Sequence, residues 1–180
     1  VHFEQWGVGY KAVRLTDKEA VVQVDAETCG GTAAHGGLRV QAEWIDAAGQ
    51  TVAKAQGPVR DGKATLTLKV KNPQRWDINN PYLYILRTTL LSDGKEIDRC
   101  ELSAGLRTLD FTPDHGFSLN GRNMKVKGVC LHHDAGCLGA VVPEQVWERR
   151  LLKLKEIGVN AIRCAHNPQA PALYDLCDRL

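Results

Sequence analysis

Residues 125–167, KVKGVCLHHDAGCLGAVVPEQVWERRLLKLKEIGVNAIRCAHN, decide the fold of this chain. The stretch reads as strand, loop, helix, strand. An alternating apolar run, Met124 to Val129, leads into a polar cluster from Cys130 to Asp134. A helix of about four turns follows, with Pro143 near its first turn, where a missing N–H costs nothing. Val146, Trp147, Leu151, Leu154 and Ile157 recur at helical spacing, and Gly158 supplies a C-terminal stop. A second strand, Asn160 to Cys164, ends in His166 and Asn167.

Such a unit crosses over right-handed and lays its two strands parallel. Both polar clusters then fall at the carboxyl ends of neighbouring strands. That is the edge where barrels and open α/β sheets build their sites.

The rest of the chain bounds the possibilities. Its 180 residues, 43% hydrophobic and 24% charged, suit a globular protein of one or two domains. With 23 basic and 21 acidic residues interspersed and a net charge of +2, nothing argues for nucleic acid or a membrane as partner. No apolar run approaches the roughly 20 residues that span a bilayer. The chain opens on Val1 without a basic-then-apolar leader and closes in a helix pattern, 171–180, that lacks a cap. A segment of a longer protein is the expectation, and no compartment follows from it. Six cysteines (29, 100, 130, 137, 164 and 177) are too sparse for a disulfide scaffold and are expected as buried apolar fillers.

Residues 1–109 read as β throughout. Gln5 to Arg14 is expected to place Trp6, Val8 and Tyr10 on one face. Ala20–Ala26 and Leu38–Ile45 flank a Gly-rich loop, 28–37; Thr51–Ala55 returns across 46–49. Ala64–Val70 alternates with period two, and Tyr82–Leu91 and Lys95–Leu106 form a hairpin about Ser92-Asp93-Gly94. Seven short strands with regular turns predict an all-β immunoglobulin-like sandwich, though without a Cys…Trp…Cys arrangement. Nothing in it looks catalytic: His2 and His35 are isolated, and 60–63 is a solvated turn. Residues 111–116 read as a linker, and Phe117-Ser118-Leu119 turns through Asn120-Gly121 to pair with Arg122 onward. The second domain, 110–180, is then an incomplete α/β segment.

Three motifs carry a resemblance. They are Gly128-Val129-Cys130-Leu131-His132-His133-Asp134, Asn160-Ala161-Ile162-Arg163-Cys164-Ala165-His166-Asn167-Pro168, and the closing Leu176-Cys177-Asp178-Arg179. Together they resemble glycoside hydrolase family two, the β-galactosidase and β-glucuronidase family. Asn80-Pro81-Tyr82-Leu83-Tyr84 and the hairpin from Phe117 to Val126 are similar to the same family.

The resemblance implies that an immunoglobulin-like domain is followed here by the N-terminal part of a (β/α)8 TIM barrel, in a retaining exo-glycosidase acting on β-galactosides or β-glucuronides. It implies that Arg163 holds the nucleophilic carboxylate, that His132 and His166 line the sugar pocket and stabilise the transition state, and that Asp134 contacts sugar hydroxyls. Asn167 completes the substrate-binding set. Cys130 stands where the family usually has Asn. The acid/base and nucleophile glutamates fall beyond Leu180, so no catalytic residue is assigned within the chain, and alone it is expected to be inactive. In the family a bound divalent cation such as magnesium is common; its ligands are not in this stretch. Neighbouring domains of the same chain and a homo-oligomer are the further partners implied.

The chemistry suits those roles. A retaining glycosidase uses two carboxyl groups about 5–5.5 Å apart, one as acid/base and one as nucleophile. A guanidinium stays charged and grips a carboxylate bidentately. An imidazole can strengthen its bond to a sugar hydroxyl as positive charge develops on the ring.

Two rival readings use other residues. Cys130 and His132, with Cys164 and His166, place a thiol and an imidazole two apart at each strand end. That pattern would form a Cys₂His₂ zinc site if all four converged, with Cys137 as a spare. A non-catalytic interaction module would instead present Trp44, Trp76, Tyr82 and Tyr84, although aromatics on alternating strands are more often core.

Overall fold

The computed structural model describes residues 1–30 and 37–180; His35 and most of the Gly-rich loop lie outside the described residues. The chain divides into two compact units, 1–75 with 82–107, and 76–81 with 108–180.

The first unit is a β-sandwich. Strands β1 (His2–Leu15), β2 (Glu19–Cys29) and β5 (Lys63–Lys71) form one antiparallel sheet in the order β1-β2-β5. Strands β3 (Leu38–Ile45), β4 (Thr51–Pro58), β6 (Tyr84–Ser92) and β7 (Lys95–Ala104) form the other, in the order β4-β3-β6-β7. Period-two alternation dictates the core. Ala20, Val22, Val24 and Ala26 of β2 are buried, as are Ala64, Leu66, Leu68 and Val70 of β5. They meet Val40, Ala42 and Trp44 of β3 and Leu86 and Leu90 of β6 in one cluster. Each Val or Leu among them contributes roughly 1.5–3 kcal/mol on full burial. Trp44 is the hub, with the Tyr10 and Tyr84 rings 5.2 and 5.5 Å from its own. Trp44, Trp76 and Tyr84 are thus packing residues rather than a presented surface.

The expectation for β1 fails at Trp6. Its ring is 81% exposed, not aligned with Val8 and Tyr10, because pairing with β2 slips between Phe3 and Val8. The bulge gives Trp6 a φ of 61° and crowds Gly7, where a Cβ would sit 2.7 Å from Glu4 Cβ. The cysteine expectation holds in part. All six are free; Cys100 and Cys164 pack half-buried against the two cores, whereas Cys130, Cys137 and Cys177 are exposed.

The second unit begins with a three-stranded antiparallel sheet, β8 (Leu109–Thr112), β9 (Gly116–Leu119) and β10 (Arg122–Asn123), in the order β10-β9-β8. Residues 111–116 are therefore not a linker. They supply the second half of β8, the turn and the first residue of β9, and Phe111 lies against Phe117 with ring centroids 4.9 Å apart. The Asn120-Gly121 turn forms as expected, with φ of 53° and 76°.

A strand–helix–strand unit follows: β11 (Gly128–Leu131), α1 (Glu144–Glu156) and β12 (Ala161–Cys164), then α2 (Pro171–Arg179). The strands are parallel, with Gly128 opposite Ala161 and Leu131 opposite Cys164. β11 starts later than the alternation of 124–129 suggests. The approach to it is held instead by Asn160, whose Oδ1 accepts from Lys127 N–H at 2.8 Å and whose Nδ2 donates to Lys125 C=O at 3.0 Å.

Pro143 immediately precedes α1. At its other end Val159 N–H bonds Leu154 C=O and Gly158 N–H bonds Lys155 C=O, a Schellman closure that needs the positive φ of Gly158. Ile157 sits at this cap, off the apolar stripe, and is exposed. Trp147 and Leu151 of α1 and Leu173 and Leu176 of α2 form the core, with Leu131, Ile162 and Cys164 of the sheet packed against them. Among the described residues no helix is long and apolar enough to cross a membrane.

Residues 76–81 belong to this unit by their bonds. Trp76 Nε1 donates to Asp178 C=O at 2.7 Å, Asn120 Nδ2 donates to Trp76 C=O at 2.9 Å, and Arg122 pairs with Asp77 at 2.8 Å.

Candidate functional site

The site grows from the register of two strands. Cys130 pairs with Arg163 and Leu131 with Cys164. Alternation then sends Leu131, Ile162 and Cys164 toward the helices and leaves Cys130 and Arg163 on the opposite face. Arg163 is exposed there, with Nη1 4.0 Å from Cys130 Sγ and Nη2 3.2 Å from His166 Nδ1. A guanidinium has only donors, so Nδ1 must accept and the ring proton of His166 resides on Nε2. The His132 ring stands edge-on to His166, with centroids 5.9 Å apart at 86°. An arginine and two imidazoles thus converge at the carboxyl ends of β11 and β12. This is a cationic donor flanked by two groups able to donate to or accept from hydroxyls.

The other expected residues lie apart. Asp134 is exposed and tied in through its backbone carbonyl, which accepts from Arg150 Nη1 at 3.3 Å, not through its carboxylate. Asn167 follows His166 but lines a separate cleft of 480 Å³ together with His133, Trp147 and Gln169. Gln169 carries no signal in the sequence; His133, next to His132 and on the opposite face, reads there as a structural residue.

The zinc arrangement does not form. Cys130 faces Arg163 while Cys164 faces the helix-packed side, so the two thiols cannot share a tetrahedron. Among the described residues no three His, Cys, Asp or Glu are placed to hold a metal ion. Glu144 pairs with Arg179 at 2.7 Å and Glu156 with Lys153 at 2.9 Å, so those carboxylates serve the helix surfaces.

Comparison with known proteins agrees with this architecture. The model for Glycosyl hydrolases family 2 matches residues 1–107, and that for the Glycosyl hydrolases family 2 TIM barrel domain matches residues 112–180. The chain is 41% identical to the β-galactosidase BoGH2A of Bacteroides ovatus over all of its own length and 22% of that protein's. It is 40% identical to a β-glucuronidase of Bacteroides fragilis over 63% of this chain and 16% of the relative. A crystal structure of a glycosyl hydrolase family 2 member from Bacteroides cellulosilyticus superposes with a TM-score of 0.94 at 38% identity, covering 99% of this chain and 25% of that one. The chain spans about a fifth of the length of the curated relatives it matches. With a sandwich matched from its first residue and a barrel start matched to its last, the chain belongs to the glycosyl hydrolases family 2.

Proposed function

We propose that this chain is a segment of a retaining glycoside hydrolase acting on β-galactosides or β-glucuronides, and that it contributes one wall of the sugar pocket. The relatives named β-galactosidase and β-glucuronidase support the substrate class. The observation that carries the reading is the convergence of Arg163, His166 and His132 at the ends of two parallel strands.

In this reading the acid/base and nucleophile carboxylates come from outside these 180 residues. Arg163 grips the nucleophile, keeping it ionised and aimed while the glycosidic bond breaks. The bond from Arg163 to Nδ1 turns His166 into a donor through Nε2–H, suited to a sugar hydroxyl or ring substituent. His132 offers a second contact at right angles. These bonds tighten as charge develops in the transition state and so act on rate more than on binding. Asp134 reaches the outer hydroxyls.

In the complete enzyme, Arg163→Ala should lower kcat for a nitrophenyl galactoside or glucuronide about a hundredfold or more, with KM changed only severalfold. An unchanged kcat removes Arg163 from the mechanism.

A further inference from the structure

Arg163 ends in a planar group at the tip of a long, flexible side chain. A guanidinium grips a carboxylate bidentately only when that plane is aimed, and rotation about the bonds of the stem works against it. Contacts at the far end must therefore fix it. His166 supplies one, accepting from Nη2 at 3.2 Å through Nδ1. One contact at one nitrogen leaves the plane free to swing about that point.

The second contact comes from the neighbouring strand. Cys130 stands directly opposite Arg163 in the parallel register, and alternation turns both residues away from the helices. Its Sγ lies 4.0 Å from Nη1, and a sulfur facing a group that only donates takes the acceptor role. The guanidinium is thus bracketed, with the imidazole at one terminal nitrogen and the thiol at the other. Each contact takes a single N–H, and the remaining N–H groups still offer a carboxylate two parallel bonds. We infer that Cys130 is a positioning residue. Its sulfur, together with the His166 ring, sets the plane of the Arg163 guanidinium, so that Cys130 acts on the reaction through Arg163 and without touching the sugar. The inference rests on the glycosidase reading above and adds to it a function for the thiol.

The test is a double-mutant cycle in the complete enzyme, with a nitrophenyl galactoside or glucuronide as substrate. Cys130→Ala removes the acceptor and should lower kcat about fivefold, the effect of roughly one weak hydrogen bond, with KM held within about twofold. Cys130→Asn offers Nη1 a stronger acceptor in its amide oxygen and should keep kcat within about twofold of the unmodified enzyme. In an Arg163→Ala background, Cys130→Ala should have no further effect, because a residue that works only through the guanidinium has nothing left to position. An unchanged kcat in Cys130→Ala overturns the inference. So does a fivefold loss that persists with Arg163 removed, or a loss in Cys130→Asn as large as about fivefold; the last keeps the test decisive if the alanine variant misfolds. An Arg163→Ala enzyme with undiminished kcat fails the reading of Arg163 itself, and the positioning role falls with it.

Discussion

The two units differ in how completely they use their hydrophobic residues. In the sandwich, two sheets enclose a continuous core from Phe3 to Leu106; Thr88 and Thr89 are buried with it, while charged side chains such as Arg87 and Glu101 pair at the surface. In the second unit the buried core reduces to Trp147, Leu151, Leu173 and Leu176, under a sheet of only two strands. One face of that sheet is packed by helices, while the other leaves Cys130 and Arg163 exposed. Arg163, which the proposal above places in the sugar pocket, lies on the face that the helices leave uncovered.

Three experiments break or sharpen that contrast. The largest effect is expected in the sandwich. Trp44→Ala removes the hub between Tyr10 and Tyr84 and should cost about 3–5 kcal/mol, seen as a large drop in the denaturation midpoint. A cost under about 1 kcal/mol would mean that the sandwich core is not the stabilising centre described above.

In the second unit the corresponding control is polar. Asn160→Ala deletes both side-chain bonds that hold residues 125–127 at the entry to β11 and should cost about 1–2 kcal/mol. Faster amide exchange confined to β11 and β12 is the expected readout; exchange accelerated equally in β2 and β5 would contradict a local clamp.

The smallest effect belongs to the sandwich surface. The Thr65 hydroxyl, donating to Asp25 Oδ1 at 2.7 Å, holds that carboxyl below its ordinary value, helped by Gln23 and Lys11 against partial burial. A depressed folded-state pKa stabilises above the unfolded value and is lost as pH falls through it. The contribution should therefore fade below about pH 4 and shrink in Thr65→Val, with an identical acid limb in both proteins as the result against it. Solvent screening keeps it small.

What could be read from the sequence is what depends on near neighbours. The helix from Glu144 and its Gly158 stop, the parallel pairing of the strands around it and the Asn120-Gly121 turn follow from spacing and local backbone preference. That Arg163 and His132 come to neighbouring strand ends follows from the same topology, whereas the approach of His166 to Arg163 depends on the backbone beyond the end of β12 and was not legible from spacing. Features set by a partner strand were not legible. The Trp6 bulge depends on how β1 slips against β2, and the β8–β9 hairpin depends on Phe111 finding Phe117, although Pro113 to Gly116 reads alone as a linker. Asn167 illustrates the same limit within the site, since which recess a residue enters depends on its neighbour's side of the strand end.

The placement of Trp76–Pro81 has a practical consequence for taking the chain apart. The polypeptide passes between the two units after residues 75, 81 and 107, so they are joined by three covalent threads. Scission after Arg107 would strip the C-terminal fragment of Trp76 and Asp77 and leave Asp178 C=O, Asn120 Nδ2 and the Arg122 guanidinium without those partners. A dissected C-terminal piece must carry residues 76–81 in trans or by circular permutation, or its behaviour will report the missing hexapeptide rather than the barrel strands.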